Sequence, residues 1–324
     1  MVLAGLSALA GGLIAQNAGT GDWERSMAAG RAALLAENYA QADAIFSASL
    51  AAADGSWDGV RRALVAAQLG LAKLAEGHPT EAAAFLTQSI PVLENAGDRA
   101  GDLATAWQAL GRALHIQRRY AKAGQAYRKA LALRLAAEPP DPRAIADLQS
   151  SLGSTYQLQG RYSEAEEALD RARELLDGLP QPDPVLGASL FNNIGMLYRQ
   201  HGKHSAAEAA YRKGLRYLQS TGDRTGVLSV HLLNNLALEC MYRKQYDEAS
   251  ALLFRAVARV EQASAVAPAD QVELFRHYAR CLEKQGRKKE ARQMIARADH
   301  MAGAILPSEN GLVVDASELR AGNK

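Results

Sequence analysis

The sequence predicts an all-α chain, a right-handed superhelical solenoid of about seven helix-turn-helix hairpins. Three observations lead there. Alanine is abundant while only 6% of the 324 residues are aromatic, which suits closely packed helices better than a β-sandwich. An alanine recurs in one phrase at Ala42, Ala82, Ala123, Ala165, Ala207, Ala249 and Ala291, with spacings of 40, 41, 42, 42, 42 and 42. Breakers of helices, Pro and Gly, cluster between these registrations rather than within them.

Taken in order, the chain begins with Val2 to Ala15, an uncharged run of small and apolar residues. Fourteen residues are too few to span a bilayer but match the apolar part of an export signal, with Ala15 or Ala18 before a cleavage point. No Lys or Arg precedes Arg25, which opposes that reading. Export to the periplasm is favoured over a cytoplasmic location. Residues 1–20 are accordingly assigned to a signal peptide or disordered N-terminus, 21–304 to the solenoid and 305–324 to a mobile tail.

Each hairpin repeats one grammar. Helix A carries Leu69-Gly70, Leu110-Gly111, Leu152-Gly153, Ile194-Gly195, Leu236-Ala237 and Tyr278-Ala279, the second residue always twelve before the anchor. A turn follows, with Gly77, Gly160, Gly202 or Gly286 five residues before it, where a helix C-terminus needs positive φ. Helix B then places Phe46, Leu86, Tyr127, Leu169, Tyr211, Leu253 and Ile295 four residues after the anchor. Ser49, Ser89, Ala130, Ala172, Gly214, Ala256 and Ala298 come three further on. Those offsets share one helical face, where small residues admit a close helix crossing and the large one fills it. Linkers such as Glu138 to Pro142 and Pro180 to Pro184 cannot continue a helix and separate one hairpin from the next. In the tail, Pro307 ends the last helix, and Leu312-Val313-Val314 is a segment that could fold back over the solenoid end.

These residues resemble the tetratricopeptide repeat. Trp107-x-x-Leu110-Gly111-x-x-Leu114 with Tyr120, Ala123, Tyr127 and Ala130 carries the fullest match. Leu152-Gly153-x-x-Tyr156 with Gly160, Tyr162, Ala165 and Ala172 follows it. The 42-residue period is similar to the kinesin light chain type, as are Phe191-Asn192-Asn193-Ile194-Gly195 and Leu233-Asn234-Asn235-Leu236-Ala237. The first unit departs from the pattern, with Ser26 for Trp and Glu37 for the turn Gly. The resemblance implies a concave groove lined by helix A, and a non-catalytic scaffold or adaptor that binds an extended peptide or partner segment there. Two other readings are a regulatory or sensory repeat module and an accessory subunit of a bacterial envelope assembly.

Chemistry-bearing patterns are sparse, and no enzyme activity, cofactor or metal is expected. Cys240 and Cys281 fall on the packed side of helix A and read as buried small hydrophobes. His201 and His204 share a turn but lack a third ligand. The groove positions implied by the resemblance are Asn193, Asn235, His277, His231, Arg199, Tyr242, Arg280 and Lys284, preceded in the array by Arg112, His115, Ser151 and Ser154. An Asn amide holds a donor and an acceptor, so Asn193 and Asn235 suit the backbone of an extended peptide; capping neighbouring helix ends or bonding to each other is the competing use. Residues 188–304 hold 18 Lys/Arg against 11 Asp/Glu, which points to an acidic partner segment, while the near-neutral total of +2 gives no reason to expect nucleic acid. No segment predicts a stable membrane span.

Overall fold

A computed structural model describes residues 20–53, 57–181, 183–219, 226–262 and 266–304. The leader reading and the tail with Leu312-Val313-Val314 lie outside these residues. The described residues form fourteen helices and no strand. They are α1 (Thr20–Leu35), α2 (Tyr39–Ala52), α3 (Gly59–Ala75), α4 (Pro79–Ala96), α5 (Ala100–Ile116), α6 (Tyr120–Leu135) and α7 (Pro142–Leu158). Then follow α8 (Tyr162–Asp177), α9 (Pro184–Gln200), α10 (His204–Leu218), α11 (Gly226–Tyr242), α12 (Tyr246–Gln262), α13 (Pro268–Lys284) and α14 (Lys288–Ala304). Odd-numbered helices are the A helices and even-numbered ones the B helices of seven hairpins.

Two compact units result, Met1–Leu186 and Gly187–Lys324. In the first, successive helices from α1 to α8 pack on one another, and A helices of adjacent hairpins also touch, α1 on α3 and α3 on α5. In the second, α10 to α14 pack in sequence and α11 touches α13. Contacts between neighbours in sequence are what a stack of hairpins requires.

Every hairpin closes with a three-residue turn. Its middle residue has positive φ in all seven: Gly77, Gly160, Gly202 and Gly286, and also Glu37 (58°), Arg118 (59°) and Lys244 (62°). The next amide reaches back five residues to a helix carbonyl, as in His78 N to Lys73 O (2.8 Å) and Gln245 N to Cys240 O (2.8 Å). This is the Schellman closure, which satisfies carbonyls that the helix end leaves open. Other starts use side chains: Asp58, Asp141 and Asp183 accept backbone N–H groups at the heads of α3, α7 and α9. The two Pro-rich linkers thus end in an Asp-Pro that starts the next helix, with Pro142 and Pro184 at first helical positions.

The seven anchor alanines are all buried. So are the large residues four further on, from Phe46 to Leu253; Ile295, in the last helix, is exposed by 39%. Each helix A Gly twelve residues before an anchor lies against the large residue of its own helix B. A Cβ built on Gly70 would stand 2.9 Å from Leu86 Cγ, on Gly111 2.6 Å from Tyr127 Cδ1, and on Gly153 2.6 Å from Leu169 Cγ. Gly195 meets Tyr211 in the same way, and Gly30 meets Phe46 in the first hairpin. Gly153 also lies 3.3 Å, on the same construction, from the carbonyl oxygen of the anchor Ala165, so backbone as well as side chain limits the space.

Two outcomes test this packing. Gly153→Ala should destabilise by about 1–3 kcal/mol through overpacking, whereas Gly101→Ala, whose Cβ meets nothing within 4 Å, should be neutral or stabilising. Denaturant unfolding that ranks the two equally would contradict the crossing. Lys244→Gly should raise stability by about 0.5–1 kcal/mol, because a left-handed conformation costs a residue with a Cβ more than the added chain entropy of Gly.

Candidate functional site

The A helices of the second unit carry a connected set of polar groups. Asn192 and Asn193 occupy successive positions of α9, Asn234 and Asn235 the matching positions of α11, and Arg276 and His277 those of α13. Asn235 Nδ2 donates to Asn192 Oδ1 (2.9 Å), and Asn235 Oδ1 accepts from Arg199 Nη1 (3.3 Å). One turn on, His277 Nδ1 stands 2.9 Å from Asn234 Oδ1. The oxygen is an acceptor, so the neutral imidazole donates through Nδ1. Asn235 is therefore bonded to Asn192 and Arg199. Asn193 is partly buried on α9.

Between α11 and α13 lies a cavity of about 90 Å³, walled by Val230, His231, Asn234, Asn235, Asp270 and Glu273 among others. His231 Nε2 faces Asp270 Oδ2 at 3.4 Å, and hydrogen bonding to His231 holds the Asp270 carboxyl below its usual range. His277 Nε2 faces Glu273 Oε2 at 3.9 Å. Toward the C-terminal ends of the same helices the charge reverses, with Arg199 on α9 and the exposed Arg280 and Lys284 on α13. Arg199 Nε also lies 4.0 Å from Glu239, a carboxylate only 1% exposed, which accepts from His204 Nδ1 at 2.7 Å. His204 in turn stacks on Tyr242 with ring centroids 3.6 Å apart. Tyr242, Arg199 and the buried Glu239 thus form one group at the C-terminal end of the face.

Asn192, Asn234, Glu239, Asp270 and Glu273 were not among the residues expected from sequence. The Asn-Asn doublets were the available signal for the first two. In the first unit His115 Nδ1 lies 3.1 Å from Thr155 Oγ1, which itself donates to Ser151 O (2.8 Å), so that face is also cross-linked by polar side chains. Both cysteines are buried free thiols, pushed up to about 11 chiefly by burial, which leaves them protonated and unreactive at neutral pH. Among the described residues no group of three or more His, Cys, Asp or Glu could hold a metal ion, and no helix is long and apolar enough to cross a membrane.

Burial, reinforced by the positive charges of Arg280 and Arg199 and opposed by Glu273, holds the His277 imidazole below its ordinary range. In the unfolded chain it titrates near 6.5. Between that value and its lower folded value the unfolded chain binds the proton more readily, so stability falls as pH falls. His115, lowered by burial, adds a slope of the same sign. The urea midpoint of the full chain should therefore drop from pH 7 to pH 5, and drop less in His277→Asn. Equal slopes for the two proteins would remove His277 from the account.

Residues 104–136 and 144–220 match tetratricopeptide-repeat family models. No curated protein matches the chain at a significant level. Solved structures of similar fold include BtubC (BKLC) from P. vanneervenii, at TM-score 0.59 and 22% identity, covering 72% of this chain and 96% of that one. NprR in complex with its cognate peptide NprX gives TM-score 0.67 at 14% identity over 92% and 85% of the two chains. Aspartyl phosphate phosphatase F from Bacillus subtilis gives 0.62 at 15% identity over 87% and 72%. At these identities the likeness concerns fold. With the family matches, the constant hairpin grammar and the helix crossings it produces, the chain carries tetratricopeptide repeats.

Proposed function

We propose that this chain is a protein-interaction scaffold whose second unit takes an extended peptide or partner segment across α9, α11 and α13. The observation that carries the reading is the run of amide and imidazole groups from Asn192 through Asn235 and Asn234 to His277, bordering the cavity between α11 and α13. Such groups retain unused donor and acceptor capacity after pairing with one another, and their partners fix their orientation before a ligand arrives. A peptide backbone crossing A helices meets that capacity whatever its side chains are. The NprR–NprX complex, a peptide bound by a chain of similar fold, supports this use of the architecture. The phosphatase named above shares the fold at 15% identity, which carries no chemistry across. We assign the 42-residue units to the kinesin light chain type on their Asn doublets.

Charge should refine the choice of segment. Arg280, Lys284 and the partly engaged Arg199 favour acidic side chains at the C-terminal ends of the helices, while Asp270 and Glu273 disfavour them at the cavity. A net acidic preference is therefore modest, with about 0–1 kcal/mol from each exposed pair.

The test begins with a displayed library of extended peptides and the full chain. For a selected peptide, Asn234→Ala with Asn235→Ala should weaken binding by about 1–3 kcal/mol through unpaired polar groups. Raising salt should reduce the advantage of an acidic peptide over its neutral counterpart and leave a residual affinity for both. Unchanged affinity in the double variant would place the binding face elsewhere.

A further inference from the structure

The first unit holds a second recessed surface on a different set of helices. A groove of about 570 Å³ runs between the B helices α4 and α6, with α5 beneath it. Its apolar floor is made by Ala83, Trp107, Leu110, Leu114 and Ala126. Trp107 is partly buried, with the Lys129 ammonium 4.0 Å above its ring. Ala83, the residue after the anchor, is small, like its counterparts Gly124 in α6 and Ser250 in α12. The same position carries Asp43 in α2, Glu166 in α8, Glu208 in α10 and Arg292 in α14.

The rim has one sign of charge. Arg119, Lys122 and Lys129 are exposed along it, and no carboxylate is among its described lining residues. Lys129 has an ion pair with Glu94 at 3.4 Å, both side chains being about half exposed, and Arg119 Nη1 donates to Gln117 Oε1 at 3.4 Å. The sequence around this rim is unlike the rest of the unit. Residues 103–137 contain seven Lys/Arg and no Asp or Glu, whereas the remainder of residues 1–187 contains 10 Lys/Arg and 21 Asp/Glu. A basic island with an apolar floor thus sits in an otherwise acidic half-chain.

We infer that this groove is a second docking site, for an acidic amphipathic segment of a partner protein. Its apolar side chains enter over Trp107, Leu110 and Leu114, and its carboxylates meet Arg119, Lys122 and Lys129. Charge complementarity selects the occupant: a neutral apolar segment leaves Arg119 and Lys122 without a carboxylate, and a basic one is repelled. A nucleic acid would use the cations but not the aliphatic floor of Leu110 and Leu114. The volume falls within the roughly 300–1,000 Å³ of ordinary ligand pockets, enough for a few anchoring side chains.

The probe is a fluorescein-labelled amphipathic peptide with Leu at i, i+3, i+4 and i+7 and Glu on its other face, titrated against the full chain by anisotropy. Its Glu→Gln counterpart and a single-stranded oligonucleotide of equal charge are the comparisons. We expect saturable binding of the acidic peptide, at least tenfold weaker binding of the Gln form at low salt, and weak binding of the oligonucleotide. Arg119→Glu with Lys122→Glu should weaken the acidic peptide at least tenfold. Ala84→Gln, at an exposed position of the α4 wall, should do so at high salt as well, by filling the groove. With Trp23 and Trp57 replaced by Phe, binding should shift the emission of Trp107, a readout that leaves the groove itself unaltered. Asn234→Ala with Asn235→Ala should leave all of this unchanged, which separates this site from the face of the second unit. Absence of saturable binding, equal binding of the oligonucleotide, or indifference to the Lys122 and Ala84 variants overturns the inference.

Discussion

The close crossing of helix A over helix B is the constraint on which the rest depends. A Gly on helix A faces a large side chain of helix B, sixteen positions later, as in Gly153 with Leu169 and Gly195 with Tyr211, and the last two hairpins carry Ala237 and Ala279 at that place. The pairing survives only if the path between the two residues has a fixed length. The three-residue turn supplies that, and it is the same in every hairpin even where the middle residue is Glu37, Arg118 or Lys244. Strain at those three turns is tolerated because the crossing on either side leaves no other closure. A residue inserted into a turn would rotate helix B by about 100° and carry its large residue off the facing Gly.

With one face of helix A committed to its own hairpin and another to the next, the remaining stripe is free to be polar. In the second unit that stripe is cross-linked from hairpin to hairpin by Asn192 with Asn235 and by Asn234 with His277. Buried carboxylates join α10 to α11 in the same region: Glu208 bonds Arg212 and Arg243, and Glu239 bonds His204. Paired buried charges contribute little net stability, but loss of one partner is expensive, so they specify which surfaces meet. The arrangement suits repeats that share an apolar seam and would otherwise slide.

The hairpins were legible because their signal is periodic and apolar: the anchors, the Gly or Ala of helix A and the large residue of helix B recur at fixed offsets. The first hairpin was harder, since Ser26 and Glu37 replace two marker residues, yet Gly30 against Phe46 makes the same crossing. The turns at Arg118 and Lys244 carried no glycine to announce them. The proposed binding face was legible only as a stripe. Adjacent residues on a helix differ by about 100° in direction, so repeat register alone does not decide whether Asn192 or Asn193 reaches Asn235. Glu239 was missed for a different reason. A single Glu in an apolar helix reads as exposed, and only the neighbouring hairpin's His204 and Arg199 make its burial affordable.

The two recessed surfaces obey different physics. On the A-helix face of the second unit, the cavity is walled by amides, an imidazole and the carboxylates of Asp270 and Glu273, with Arg199, Arg280 and Lys284 toward the helix ends. On the proposed reading selectivity there would come from geometry, because a misaligned ligand leaves a desolvated amide unpaired. In the first unit's B-helix groove the polar rim is cationic and exposed, above an apolar floor. Long-range attraction there speeds encounter and sorts ligands by charge, while the floor sets how long they stay. A repeat chain can vary these surfaces separately. The residue after the anchor in helix B varies from Ala83 to Glu208 while the anchor itself stays Ala. The doublet before the helix A Gly changes the inner face under the same freedom. Substitution at either place leaves the Gly-to-large-residue crossing intact, which is why one hairpin grammar can carry unrelated ligand chemistries along a single chain.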